Sequence, residues 1–260
     1  MQVVILAGGF GTRITEESHF RPKPMIEIGD MPILWHIMKI YSHYGFNEFI
    51  ICIGYKGHMI KDFFCDYFLH TSDITFDFRS PVNSEMTVHN STTEPWKVTL
   101  VDTGINTQTG GRVKCVEPYI TDDSFMLTYG DGVADVDIGQ LAQYHKKHGK
   151  IATVTAVQPA GRFGAIDISV DNGIRRFHEK PKGDGSWING GFFVLNREIF
   201  KYITGTSTVF EQEPLETLAA DCQLVAYKHE GFWQPMDIMK DKLYLETLWD
   251  TKKAPWRIWN

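Results

Sequence analysis

Val3-Val4-Ile5-Leu6-Ala7 is an unbroken apolar run that stops at Gly8-Gly9-Phe10-Gly11-Thr12-Arg13. A run without polar alternation reads as a strand covered on both faces, which places it in a largely parallel sheet sandwiched by helices. The glycines behind it let main chain approach a ligand closely, and successive N–H groups there can cradle phosphate. Arg13 adds a planar fork of donors suited to phosphate oxygens. A tight turn capped by an exposed arginine fits the same residues. Two named phosphate loops do not. GxxxxGK[ST] fails because no lysine follows the glycines, and GxGxxG fails because Ile14 stands at the third glycine position.

The pattern that follows supports an α/β chain. Residues 32–44 carry apolar side chains at helical spacing, with Pro32 suited to a first turn and Gly45 to a C-terminal cap. Residues 49–53 read as a second buried strand and 59–68 as a helix, giving a strand, helix, strand, helix order. Further strands are expected at 75–78, 97–102, 125–129, 151–157 and 191–195, and helices at 138–148, 214–220 and 241–249. Residues 163–179 alternate around Asp171-Asn172-Gly173, a hairpin signal. Residues 103–112 read as a flexible loop that closes on a ligand.

With 260 residues and 43% hydrophobic content, the chain can bury a large core without staples. It contains no linker or repeat, so residues 1–260 are expected to form a single domain with β insertions. Cys52, Cys65, Cys115 and Cys222 are scattered and form no CxxC pair, so reduced thiols and a cytoplasmic location are expected. No signal peptide or membrane span is read from the apolar runs. The net charge of −6 argues against non-specific nucleic-acid binding, and no nucleic-acid or membrane partner is expected.

The remaining candidates are polar residues at strand ends. Lys23 lies in Arg21-Pro22-Lys23-Pro24-Met25, where flanking prolines favour extended backbone. Asp131 follows an apolar strand, between Gly130 and Gly132, where open α/β sheets bind ligands; it reads equally as a turn aspartate. Asp237 reads as a second carboxylate ligand or as a helix N-cap. Asp135 and Asp137 read as the entry to the helix at 138. Glu179-Lys180-Pro181-Lys182 offers a carboxylate for sugar hydroxyls and an ammonium for a phosphate, or an exposed turn. Asn189 and Gly190 offer an amide and close backbone approach. Thr103, Thr107 and Arg112 are candidates for nucleotide contact, with Arg112 meeting a phosphate. His145 and His148 read as a basic helix end, His36 as a core histidine, and Trp249, Trp256 and Trp259 as packing on the chain or on a neighbour.

GGxGTR followed by Pro-Lys-Pro, with Lys23 ten positions after Arg13, resembles the signature of nucleoside-diphosphate-sugar pyrophosphorylases. Ile14-Thr15-Glu16-Glu17-Ser18 replaces the usual Pro-Leu-Thr run and is similar to the branch that makes CDP-glucose. WKVTLVDTG, TGGR, TYGDGVADVDI, HEKPKGDG, WINGGFFVLN and GFWQPMD resemble that branch, the glucose-1-phosphate cytidylyltransferases, across nearly the whole chain. The resemblance implies a Rossmann-like nucleotidyltransferase fold with a mixed, mostly parallel central sheet. It implies transfer of a cytidylyl group from CTP to glucose 1-phosphate, dependent on Mg²⁺, by a homo-oligomer such as a hexamer. The downstream role it implies is deoxysugar supply for bacterial surface polysaccharide.

The resemblance also assigns roles. Arg13, Lys23 and Asp131 would be catalytic. Leu6, Ala7, Gly8, Gly9, Phe10, Gly11, Thr12, Thr103, Thr107, Arg112, Gly130, Glu179, Lys180, Asn189 and Gly190 would bind substrate. Asp131 and Asp237 would hold the metal. A pyrophosphorylase using UTP or dTTP, and a non-catalytic sugar-nucleotide binder, fit the same motifs.

Overall fold

A computed structural model describes residues 1–12, 14–79, 85–159, 165–171, 173–178 and 186–259. The central sheet has seven strands: β1 (Val3–Leu6), β2 (Glu48–Ile53), β3 (Lys97–Asp102), β4 (Ser124–Tyr129), β5 (Ala152–Val157), β6 (Ile188–Asn196) and β7 (Leu224–His229). Their spatial order is β7-β5-β6-β4-β1-β2-β3. All neighbouring pairs are parallel except the two made by β6. The sheet is therefore mixed and mostly parallel, as expected.

The helices flank this sheet: α1 (Ile33–His43), α2 (Gly57–His70), α3 (Thr109–Cys115), α4 (Ile138–His148), α5 (Glu213–Ala220) and α6 (Met239–Asp250). Alternate residues of β1 feed two separate apolar layers. Val3 and Ile5 join α1 on one face, while Val4 and Leu6 join Val113, Phe193 and Leu218 on the other. That division is why the run at residues 3–7 has no polar alternation. In α1, Ile33, Leu34, Ile37, Met38, Ile40 and Tyr41 form one buried stripe. The hairpin read at 163–179 forms, with Ala165–Ile168 pairing Ile174–His178. The strand expected at 75–78 is Ser72–Asp77 and pairs Glu85–Ser91.

Both histidine readings can be followed into the structure. His36 is a core histidine. Its Nε2 lies 2.9 Å from the Ile28 carbonyl, and Trp256 Nε1 donates to its Nδ1 at 3.4 Å. Trp249 meets the ring edge-on at 4.6 Å, so the tryptophan-rich end packs on its own chain. His145 does lie in a basic last turn, with Lys146, Lys147 and His148, and it is also a packed residue. It is buried, with Nδ1 at 2.8 Å from Thr153 Oγ1 and Nε2 at 2.9 Å from Asn196 Oδ1. The reason is that α4 lies against β5 and β6, and His145 faces inward. Asp137 caps α4 by accepting from the Gln140 N–H at 2.8 Å.

Burial holds His36 neutral and lowers its pKa to about 4 from the usual 6.5. The native state then binds fewer protons than the unfolded chain. Its contribution is complete above about pH 6.5 and is lost as pH falls towards 4, amounting to about 3 kcal/mol. Burial lowers the pKa of His145 and His148 too, with the same sign. Urea midpoints measured from pH 7 to 4.5 should fall steeply. His36→Gln, which keeps a donor and an acceptor but does not titrate, should flatten that slope.

Candidate active site

The parallel strands end together at one edge of the sheet. Leu6 lies opposite Cys52 on one side and Tyr129 on the other. Because β6 runs antiparallel, its first residues rather than its last reach this edge. A cavity of about 810 Å³ opens there, lined by the glycine loop, residues 105–109, the ends of β4 and β6, Glu211, and the segment carrying Trp233 and Asp237.

Of the expected site residues, Leu6, Ala7, Gly8, Gly9, Phe10, Gly11, Thr12, Lys23, Thr107, Arg112, Gly130, Asp131, Asn189, Gly190 and Asp237 all line the cavity. Arg13, Glu179 and Lys180 lie outside the described residues. Two glycines have clear steric reasons. A Cβ on Gly8 would sit 2.2 Å from Arg112 Nη1, and Gly11 has φ +65°.

Lys23 is placed by its prolines, though not in extended backbone. Pro22 is extended, and Lys23–Met25 forms one 3-10 turn, whose first positions suit the fixed φ of Pro24. The turn drives the ammonium inward. Lys23 Nζ donates to Asp131 Oδ2 and to Asp237 Oδ1, each at 2.6 Å. The Lys23 side chain is 11% exposed, those of Asp131 and Asp237 31% and 18%.

The carboxylates come from positions 106 residues apart and meet through a short ribbon. Gly132–Ala134 pairs antiparallel with Trp233–Pro235, and Met236 N–H donates to the Asp131 carbonyl at 2.8 Å. Asp237 is not an N-cap. Asp241 accepts from the N–H groups of Asp237 and Ile238 at 3.0 and 3.1 Å, leaving the Asp237 carboxylate to face Lys23.

One expectation for residues 103–112 is corrected. The TGGR segment is not a free loop but the first turn of α3. Gln108 N–H donates to Thr206 O at 2.9 Å and Gly111 N–H to Thr208 O at 3.2 Å, so the turn is packed against a segment about a hundred residues away. The Arg112 fork is taken up by carbonyls and a hydroxyl of its own chain. Nη1 donates to Ile53 O, Thr103 Oγ1 and Gly104 O, and Nη2 to Gly8 O and Ile105 O, at 2.6–3.3 Å. It is 4% exposed, and burial lowers its pKa. These carbonyls sit at the ends of β1, β2 and β3, so Arg112 ties the glycine loop to its neighbours. Thr103 does not line the cavity; its hydroxyl donates to Ile53 O at 2.8 Å.

Sequence reasoning missed Tyr129, Glu211 and Trp233. Tyr129 donates to Glu211 Oε1 at 2.5 Å and accepts from Asn189 Nδ2 at 3.1 Å. Burial and the Glu211 carboxylate push its phenol pKa up. Trp233 Nε1 donates to Gly190 O at 2.7 Å. Glu211, in Val209-Phe210-Glu211-Gln212, belongs to no local motif, and only the convergence of distant elements reveals it.

The cavity combines a glycine loop, a lysine and paired carboxylates, an arrangement suited to holding polyphosphate beside a cation. Among the described lining residues there is no histidine or cysteine. No helix among the described residues is long and apolar enough to cross a membrane. The chain is similar over its full length to glucose-1-phosphate cytidylyltransferase of Salmonella typhi, with 57% identity covering 100% of both chains. It is 43% identical to the probable glucose-1-phosphate cytidylyltransferase of Bacillus subtilis, again over 100% of both. In fold it is similar to a putative glucose-1-phosphate thymidylyltransferase from Bacillus anthracis solved with a sucrose, at TM-score 0.71 and 17% identity, covering 100% of this chain and 96% of that one. Residues 2–238 match the family described as nucleotidyl transferase, and with relatives this similar along its whole length, the chain belongs to that family.

Proposed function

We propose that this protein transfers a cytidylyl group from CTP to glucose 1-phosphate, giving CDP-glucose and pyrophosphate, on one domain spanning residues 1–260. The observation that carries the reading is 57% identity over the full length to a protein named for that activity. The site geometry is consistent with it.

A phosphate oxygen of glucose 1-phosphate attacks the α-phosphorus of CTP. One P–O bond forms, the bond from the α-phosphorus to the bridging oxygen breaks, and pyrophosphate leaves with the electron pair. A phosphomonoester has a second pKa near about 6, so the nucleophile is already largely dianionic at neutral pH. It therefore needs no general base. The barrier lies in bringing two anions together, so positioning and charge neutralisation dominate.

The main-chain N–H groups of residues 8–12 and the Arg13 fork hold the triphosphate. Arg112 keeps that loop in shape from behind. Lys23 stabilises charge on the phosphates as pyrophosphate departs. Glu179 accepts hydroxyls of the sugar, and Lys180 meets the sugar's phosphate.

Asp131 and Asp237 already converge on one cation, the Lys23 ammonium, at 2.6 Å each, so the pair fits a divalent ion that takes two carboxylates and completes its shell with phosphate and water. When bound there, Mg²⁺ neutralises phosphate charge and polarises a phosphoryl oxygen. We further propose a cytoplasmic homo-oligomer, with hexamer as the expected form; Cys52, Cys65, Cys115 and Cys222 are all free thiols.

Purified protein offered CTP, UTP, dTTP, ATP and GTP in turn, each with glucose 1-phosphate and Mg²⁺, should release pyrophosphate fastest with CTP. Turnover confined to UTP or dTTP would overturn the base assignment. Saturable binding with no pyrophosphate from any triphosphate would overturn the enzyme.

A further inference from the structure

We propose that Glu211 is a specificity-determining residue that accepts hydroxyl groups of the hexose, an inference that rests on the sugar-phosphate reading above. The site is built for anions, so a carboxylate lining it has to be explained. Asp131 and Asp237 are offset by Lys23. Glu211 has only neutral described partners: Tyr129 donates to Oε1 at 2.5 Å and Thr109 Oγ1 donates to Oε2 at 2.6 Å. A carboxylate placed beside phosphate would repel it, whereas beside neutral hydroxyls it gains charge-assisted hydrogen bonds. Its place therefore matches the uncharged ring of a sugar.

The surrounding bonds narrow the choice further. Asn189 spends one amide N–H on Tyr129 Oη at 3.1 Å, and its Oδ1 accepts from Gly191 N–H at 2.8 Å. Tyr129 Oη both donates and accepts within the protein. The Trp233 N–H is taken by Gly190 O. Asn189, Tyr129 and Trp233 are thus largely committed to partners within the chain. Glu211 is the exception. Two oxygens offer about four lone-pair positions, and two bonds occupy them here. Glu211 lines the cavity, and its side chain is fixed in place by donors from α3 and the end of β4. A fixed acceptor of this kind discriminates well, because a substrate lacking the matching hydroxyl leaves it unpaired.

The test compares wild type with Glu211→Gln on glucose 1-phosphate and on its 2-, 3-, 4- and 6-deoxy analogues, by pyrophosphate release and by calorimetric binding. Wild type should disfavour at least one deoxy analogue by about 10²-fold in kcat/KM. Glu211→Gln should raise the KM for glucose 1-phosphate by about 10-fold, shrink that discrimination to within about 3-fold, and leave the KM for CTP within about 2-fold.

Tyr129→Phe removes a donor to Glu211 but leaves the acceptor, so it should keep most of the discrimination. It stands in as the informative variant if Glu211→Gln does not fold: loss of discrimination in Tyr129→Phe would then overturn the proposal. Undiminished discrimination in Glu211→Gln, or a raised KM for CTP in place of the sugar phosphate, would also overturn it. Absence of pyrophosphate release by wild type with every triphosphate would instead defeat the underlying reading.

Discussion

Replacing Lys23 with methionine should leave a folded protein that releases pyrophosphate about 10²- to 10³-fold more slowly, the usual loss for one donor aimed at developing charge. Methionine keeps an unbranched stem, so the packing of Lys23 carbons below Gly11 survives. What disappears is the ammonium 2.6 Å from both Asp131 and Asp237. The two carboxylates then repel across the space it filled. In metal-free buffer this should lower stability by about 1–3 kcal/mol, since both are only partly exposed. Mg²⁺ should recover more of the melting temperature in Lys23→Met than in wild type, because the vacated position suits a divalent ion. Thermal melts with and without Mg²⁺, beside a pyrophosphate assay, check both halves. Unchanged turnover in a folded Lys23→Met would remove Lys23 from the mechanism.

Asp131→Asn should be comparably severe, with turnover lower by about 10³-fold and a higher Mg²⁺ concentration needed for half-maximal rate. Asp237→Asn should move both quantities the same way. Since the two residues face one cation, combining the substitutions should cost little more than the worse single one. A steady-state Mg²⁺ titration of the three variants is sufficient. Losses that multiply in the double variant would mean the two carboxylates act on different groups.

The sequence carried the site where local pattern and chemistry coincide. Residues 97–102 and 138–148 are an observed strand and helix with those same limits, because each is bounded by turn or capping residues. The glycine loop is legible because its close approach to Arg112 and its positive φ at Gly11 demand glycine locally. Lys23 is legible from its prolines. Arg112 is different. A TGGR run is flexible by composition, and only packing against Thr206 and Thr208 makes it a helix start and turns its guanidinium towards carbonyls. The basic helix end at His145 was legible, but its burial was not, since inward orientation is set by β5 and β6 and not by its lysine neighbours. Glu211 was silent because its meaning lies in Tyr129 and Thr109, 82 and 102 residues away.

The central claim is transfer of the nucleotidyl group with pyrophosphate as leaving group. It is tested most directly by following labelled CTP in a reaction with glucose 1-phosphate and Mg²⁺. With phosphorus-32 at the α position the label should appear in CDP-glucose; with the label at γ it should appear wholly in pyrophosphate. Label from the γ position in the sugar product would contradict the account.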